Sequence, residues 1–165
     1  MDRVINLLKS INRPGTEHII AYLRESNFAT ARCYSHHKEV GGLVEHSLEV
    51  CNFMLKHKDS IPADSAIICG LFHDLGKSRR AGNPRIKGHY LRSVIILDMC
   101  GYQLTEAERA AIKGHHSKNY LIIAATPLRR LLSLGDMIST RRWKDAHRSH
   151  HSRNSHRTTN HRSNK

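Results

Sequence analysis

Ala66-Ile67-Ile68-Cys69-Gly70-Leu71-Phe72-His73-Asp74-Leu75-Gly76-Lys77 is the stretch on which the reading of this chain turns. An unbroken apolar run suits a segment buried all round, yet this one ends on an imidazole and a carboxylate side by side. An ionisable pair at the end of a buried segment needs a partner that offsets its desolvation, and a divalent metal is one such partner. The remaining ligands must then come from other parts of the chain.

Working outward, the periodicity is helical almost throughout the first 140 residues, with no run of alternating apolar and polar residues. The expected fold class is all-α, a bundle of about six or seven helices. Val4, Ile5, Leu7, Leu8 and Ile11 mark a first amphipathic helix, stopped by Asn12-Arg13-Pro14-Gly15. Thr16 can cap a second helix through Ser26, with Ile19, Ile20 and Leu23 as its apolar positions. A polar stretch from Asn27 to Glu39 reads as loop, and Gly41-Gly42 leads into a third helix, about Leu43 to Lys56. Its i, i+3, i+7, i+10 spacing sets Leu43, His46, Val50 and Phe53 on one face, so His46 points inward.

Ser60 and Pro62 start the helix that holds the quoted run, with His73-Asp74 in its last turn before Gly76. The following loop, Lys77 to Lys87, carries Lys77, Arg79, Arg80, Arg85 and Lys87 and no acidic residue. His89 opens a fifth helix. Thr105-Glu106-Ala107-Glu108 has capping-box form and starts a sixth, which delivers His115-His116 near its end. Thr126-Pro127 starts a seventh, where Leu128, Leu132 and Asp136 share a stripe at i, i+4, i+8.

At 165 residues the chain suits one domain with a single core. Cys33, Cys51, Cys69 and Cys100 are widely spaced without a C-x-x-C pair and read as reduced, buried thiols. No segment has the make-up of a signal peptide or the length of a bilayer span, so the expected location is cytoplasmic, with no membrane partner. The formal net charge is +13, from 27 Lys and Arg against 14 Asp and Glu. From Arg141 onward eight basic residues stand against Asp145 alone, and no apolar residue follows Ala146. Residues 144–165 are therefore expected to be a disordered, basic, His-, Ser- and Arg-rich tail, and 1–143 the folded domain. Such a tail can attract polyanions, and its histidines are not counted as site ligands.

The inward or helix-end candidates are His46, His73, Asp74, His89, His115 or His116, and Asp136. Each residue type has a commonplace role by itself; their joint order, each in or beside an apolar segment, carries the argument. Imidazole nitrogen and carboxylate oxygen together suit Mn, Fe, Ni or Zn, and facing helices of a bundle can converge such groups. Four ligands hold one ion, and six or seven hold two.

The order His46, His73-Asp74, Asp136 resembles the H...HD...D signature of the HD-domain metal-dependent phosphohydrolases, an all-helical superfamily. His36-His37-Lys38-Glu39-Val40-Gly41-Gly42-Leu43-Val44-Glu45-His46-Ser47-Leu48 is similar to the segment with the first metal histidine in HD proteins related to the YhaM-type exoribonucleases. Leu71-Phe72-His73-Asp74-Leu75-Gly76-Lys77 is similar to the HD-x-G-K segment, and Gly135-Asp136-Met137-Ile138-Ser139-Thr140 to the last ligand motif. Gly88-His89 and His115 fit the extra histidines of members with two-metal sites. The likeness runs from about Arg13 to Arg142. The sequence departs from those relatives in having no oligonucleotide-binding domain ahead of the HD segment and no Gly-Tyr-Pro after Lys77, which argues against cyclic-di-GMP hydrolysis of the HD-GYP kind.

The resemblance implies hydrolysis of a phosphoester or phosphoanhydride by water activated on one or two divalent ions, with Mg added to the metals above. His46, His73, Asp74 and Asp136 would bind the principal ion, His89 and His115 a second, and Asp74 would bridge. His115 is favoured over His116. Asp74 and Lys77 are the expected catalytic pair, Lys77 acting on a phosphate oxygen, while Arg79, Arg80, Arg85 and Lys87 would hold further phosphates. A nucleotide or small phosphorylated metabolite ranks first as substrate, and single-stranded RNA or DNA cut from its 3′ end is the alternative. A non-catalytic ligand-binding regulatory module is the rival from another class.

Overall fold

The helix that ends on His73 is the hub of the fold. In the computed structural model, which describes residues 1–11, 13–116 and 126–158, the quoted run lies in α4 (Ala63–Phe72), buried at every position from Ser65 to Phe72. A helix apolar all round must be enclosed by others, and this one is. The others are α1 (Asp2–Ile11), α2 (Thr16–Glu25), α3 (Gly42–His57), α5 (His89–Met99), α6 (Glu106–Gly114) and α7 (Pro127–Thr158). Among the described residues there is no β-strand, and no helix is long and apolar enough to cross a membrane. Helix α4 packs against α1, α3, α6 and α7, and α3 also packs on α7.

Helices α3 and α4 cross closely. A Cβ added at Gly70 would lie 2.5 Å from Cys51 Cα, so the glycine lets two backbones approach where any side chain would push them apart. Gly70→Ala is expected to destabilise the protein by about 1–3 kcal/mol, the usual cost of overpacking a core. Urea unfolding checks this, and a change below 0.5 kcal/mol in either direction, as for surface substitutions, would contradict the close crossing.

Most element boundaries agree with the sequence patterns, and the capping box at Thr105 and Glu108 forms in both directions. All four cysteines are free and buried. Two expectations differ. Thr16 is not the cap of α2; Gly15 takes that position at φ 86°, and the Thr16 hydroxyl instead donates to the Arg13 carbonyl at 2.6 Å. The helix expected to contain His73-Asp74 stops at Phe72, and both residues lie just beyond it. Helix α7 runs on past Trp143 into the segment expected as a tail, its backbone helical to Thr158. No Pro or Gly interrupts it after Gly135, and its first turn beyond Trp143 is anchored by His147, whose ring stacks on Trp143 at 3.9 Å and reaches Glu39 at 3.0 Å. Residues 159–165 of the expected tail, and Asn12 of the first helix stop, lie outside the described residues.

Candidate metal centre

His73 accepts the end of α4. Its amide still donates to the Cys69 carbonyl at 3.1 Å, while Asp74 turns to φ −108°, ψ 8° and a short 3-10 turn follows over Leu75–Lys77. The turn is possible because residue 76 is glycine: a Cβ there would collide with the His89 carbonyl oxygen. That close approach brings the start of α5 against the end of α4. Ser93 locks it, accepting from the Gly76 amide at 2.8 Å, with its hydroxyl 3.0 Å from both the His73 and His89 carbonyls. The His-Asp dipeptide and His89 are thus held together by backbone packing.

Asp74 sits at the centre, fully buried. Its Oδ2 lies 3.5 Å from His73 Nε2 and 3.6 Å from His46 Nε2, and is ion-paired to Lys77. Its Oδ1 faces the other way, 3.1 Å from His89 Nε2 and 3.8 Å from His115 Nε2. His46 Nε2 is 3.1 Å from both Asp136 Oδ1 and His73 Nε2. Two donor sets result, one of His46, His73 and Asp136 and one of Asp74, His89, His115 and His116, and within each the ligand atoms all lie within 4.8 Å of one another.

Tautomers follow from the partners. A carbonyl only accepts, so His73 Nδ1 carries a proton toward Gly70 O at 3.0 Å and His115 Nδ1 one toward Ile112 O at 2.7 Å. When neutral, both rings then present a bare Nε2 to the centre. Burial pushes the His73 imidazole down to about 3, so it is neutral near pH 7. Burial alone would raise the pKa values of Asp74 and Asp136, but the surrounding imidazoles outweigh it and hold both below the usual carboxylate range. Lys77 is held above its ordinary value, the pull of Asp74 exceeding the effect of burial.

These groups fit a divalent ion. Asp74 Oδ1, His89 Nε2 and His115 Nε2 are buried with no hydrogen-bond partner, and all three face one another. Buried polar atoms that converge without well-formed hydrogen bonds are destabilising unless a partner such as a cation lies among them. His46, His73, Asp74, His89, His115 and Asp136 are therefore brought together as the sequence order suggested. His116 joins the second set from an exposed position.

The basic loop behaves differently from the expectation. Only Lys77 reaches the centre. Arg80 is drawn away to Glu25 at 2.6 Å and lies over the Tyr22 ring at 5.3 Å, because the loop folds back on α2. Arg79 is exposed, its guanidinium 3.5 Å from the Tyr34 hydroxyl, and Arg85 and Lys87 are exposed on the same loop.

The sequence patterns also passed over several residues. His36 and His37 are buried beside His46, at ring distances of 4.5 and 5.2 Å, and Glu49 and Ser139 lie behind it. Burial pushes His36 down to about 4. The doubled histidine and the Gly41-Gly42 pair were their only signal, since Gly42 is where the His37 carbonyl presses on α3.

A family model described as HD domain matches residues 43–154. Comparison with curated proteins and with solved structures gives no match.

Proposed function

The chain belongs to the HD-domain family, typified by metal-dependent phosphohydrolases, and from that premise we propose that it hydrolyses a phosphoester or phosphoanhydride of a nucleotide or small phosphorylated metabolite. The observation that carries the reading is the convergence of Asp74 Oδ1, His89 Nε2 and His115 Nε2, buried and without hydrogen-bond partners. His46, His73, Asp74 and Asp136 would hold a first ion, and Asp74, His89 and His115 a second. Such ions would supply Lewis acidity and a water acidic enough to act as nucleophile near neutral pH.

The chain's own groups do the rest. The two oxygens of Asp74 face opposite donor sets, which suits a bridging carboxylate. Backbone carbonyls fix His73 and His115 so that each offers Nε2 without reorganising. Lys77, nine per cent exposed at its side chain, keeps its ammonium inside the centre through Asp74 and is placed to meet a non-bridging phosphate oxygen as charge builds there. Arg79, Arg85 and Lys87 remain candidates for outer phosphates. Arg80 would first have to leave Glu25.

The test is a panel of nucleotides and phosphorylated metabolites offered to the purified protein with Mn²⁺, Fe²⁺, Ni²⁺, Zn²⁺ or Mg²⁺. Release of phosphate or of a nucleoside monophosphate from at least one member is expected. The net charge of +13 favours a second reading, trimming of single-stranded RNA or DNA from the 3′ end. Shortening of a labelled strand, weakened by salt, with no turnover of small substrates would select it. Saturable binding with no turnover in any metal would overturn both.

A further inference from the structure

Behind the proposed ligands, hydrogen bonds run away from the centre to one carboxylate. His46 Nδ1 lies 3.0 Å from Ser139 Oγ, and Ser139 Oγ donates to Glu49 Oε2 at 2.5 Å. A hydroxyl has one proton, and the carboxylate takes it, so Ser139 must accept from His46 Nδ1–H. His46 Nε2 is then the nitrogen that faces the centre, 3.1 Å from Asp136 Oδ1 and from His73 Nε2. The second arm reaches the same carboxylate oxygen: His37 Nε2 lies 3.3 Å from Glu49 Oε2, and His37 Nδ1 lies 2.9 Å from His36 Nδ1. With the His37 proton on Nε2 facing the carboxylate, His36 donates from Nδ1 and keeps its own Nε2 as an acceptor.

The second arm is held in a conformation that side chains rarely adopt. His37 has φ 42°, and its carbonyl accepts from the Cys33 amide at 3.1 Å while pressing on the α carbon of Gly42. Such left-handed geometry in a non-glycine residue is strained and persists only where the surroundings impose it. His36 and His37 lie ahead of the family match, which begins at residue 43.

We infer that Glu49 is a positioning residue for this centre, fixing through Ser139 the tautomer and ring orientation of His46, and through His37 those of His36. Glu49 and Ser139 touch no candidate ligand atom; they act through the far nitrogen of His46. Partners of this kind typically change metal affinity by 10- to 100-fold when removed.

The first readout is the imidazole itself, by long-range nitrogen–proton NMR of the metal-free full chain. Wild-type His46 is expected to keep Nδ1 protonated throughout, Ser139→Ala to lose that proton in a fraction of molecules in favour of Nε2–H toward Asp136 Oδ1, and Ser139→Thr to match wild type. The second readout is Mn²⁺ affinity by competition with a chelator, expected to fall about 10- to 100-fold in Ser139→Ala and to recover in Ser139→Thr. Glu49→Ala, at a side chain 42% exposed, tests the same point if Ser139→Ala does not fold. A wild-type mixture of tautomers, or variants that keep both the tautomer and the Mn²⁺ affinity within twofold, would overturn the inference. The affinity arm rests on the proposed function and the tautomer arm does not. A wild type that shows the tautomer but binds no metal would thus overturn the metal reading and leave the positioning role in place.

Discussion

Asp74→Asn is expected to abolish metal-dependent phosphoester hydrolysis, with a fall in kcat/KM on the order of 10³-fold or more, while the fold is kept. The reason is the place of the carboxylate between the two donor sets, one oxygen toward His46 and His73, the other toward His89 and His115. Asparagine keeps the shape but replaces one charged acceptor with an amide that donates, turned toward bare imidazole nitrogens. The charge that would offset a bound cation is also lost. Metal content should fall with activity, and added Mn²⁺, expected to stabilise the wild type by about 2.7 kcal/mol at 100 times its dissociation constant, should no longer raise the melting temperature. Lys77→Met separates the roles: it should retain the metal-dependent rise in melting temperature and lose rate on the order of 10²- to 10³-fold. Full activity of Asp74→Asn would sink the mechanism.

How much of this centre could be read beforehand depended on which forces are local. The phase of α3 put His46 on the Leu43 and Val50 stripe because helix periodicity is a property of neighbouring residues. The place of Asp74 beyond α4 was not readable in the same way. The helix ends because Gly76 lets the His89 carbonyl approach, a contact made across the turn by a different helix. Arg80 shows the same limit, since its partner Glu25 lies on α2 and nothing in the run Lys77 to Lys87 points to it. The Glu49, Ser139 and His46 grouping is the clearest case. Ser139 and His46 are 93 positions apart, and each has an unremarkable role on its own helix until α7 is laid against α3.

Glu108→Ala is expected to destabilise the protein by about 3–5 kcal/mol, the cost of removing one partner of a buried ion pair. Glu108 is fully buried, and every bond it makes crosses between elements or closes a cap. Its Oε2 accepts from Arg13 Nη1 at 2.6 Å and from the Thr105 amide at 2.9 Å, and its Oε1 accepts from Ser65 Oγ at 2.7 Å. One carboxylate therefore joins the turn between α1 and α2, the start of α4 and the N-terminus of α6. Truncation strands the buried Ser65 hydroxyl and takes the carboxylate from the Arg13 guanidinium, which is left with the Gln103 carbonyl at 3.2 Å, and 3–5 kcal/mol is about a third or more of the whole stability of an ordinary domain. Urea unfolding should show a lower midpoint with an unchanged slope. Glu106→Ala, two residues away at a side chain 95% exposed, should stay within about 0.5 kcal/mol of wild type. A Glu108→Ala change below 1 kcal/mol would mean that the network adds little. The consequence reaches the centre as well, because α6 is rigid over the two turns from Glu108 to His115. The buried carboxylate that caps its start sets where His115 Nε2 arrives. Metal affinity in Glu108→Gln, which keeps the side-chain volume but weakens the pull on Arg13, should therefore fall even where most of the stability is retained.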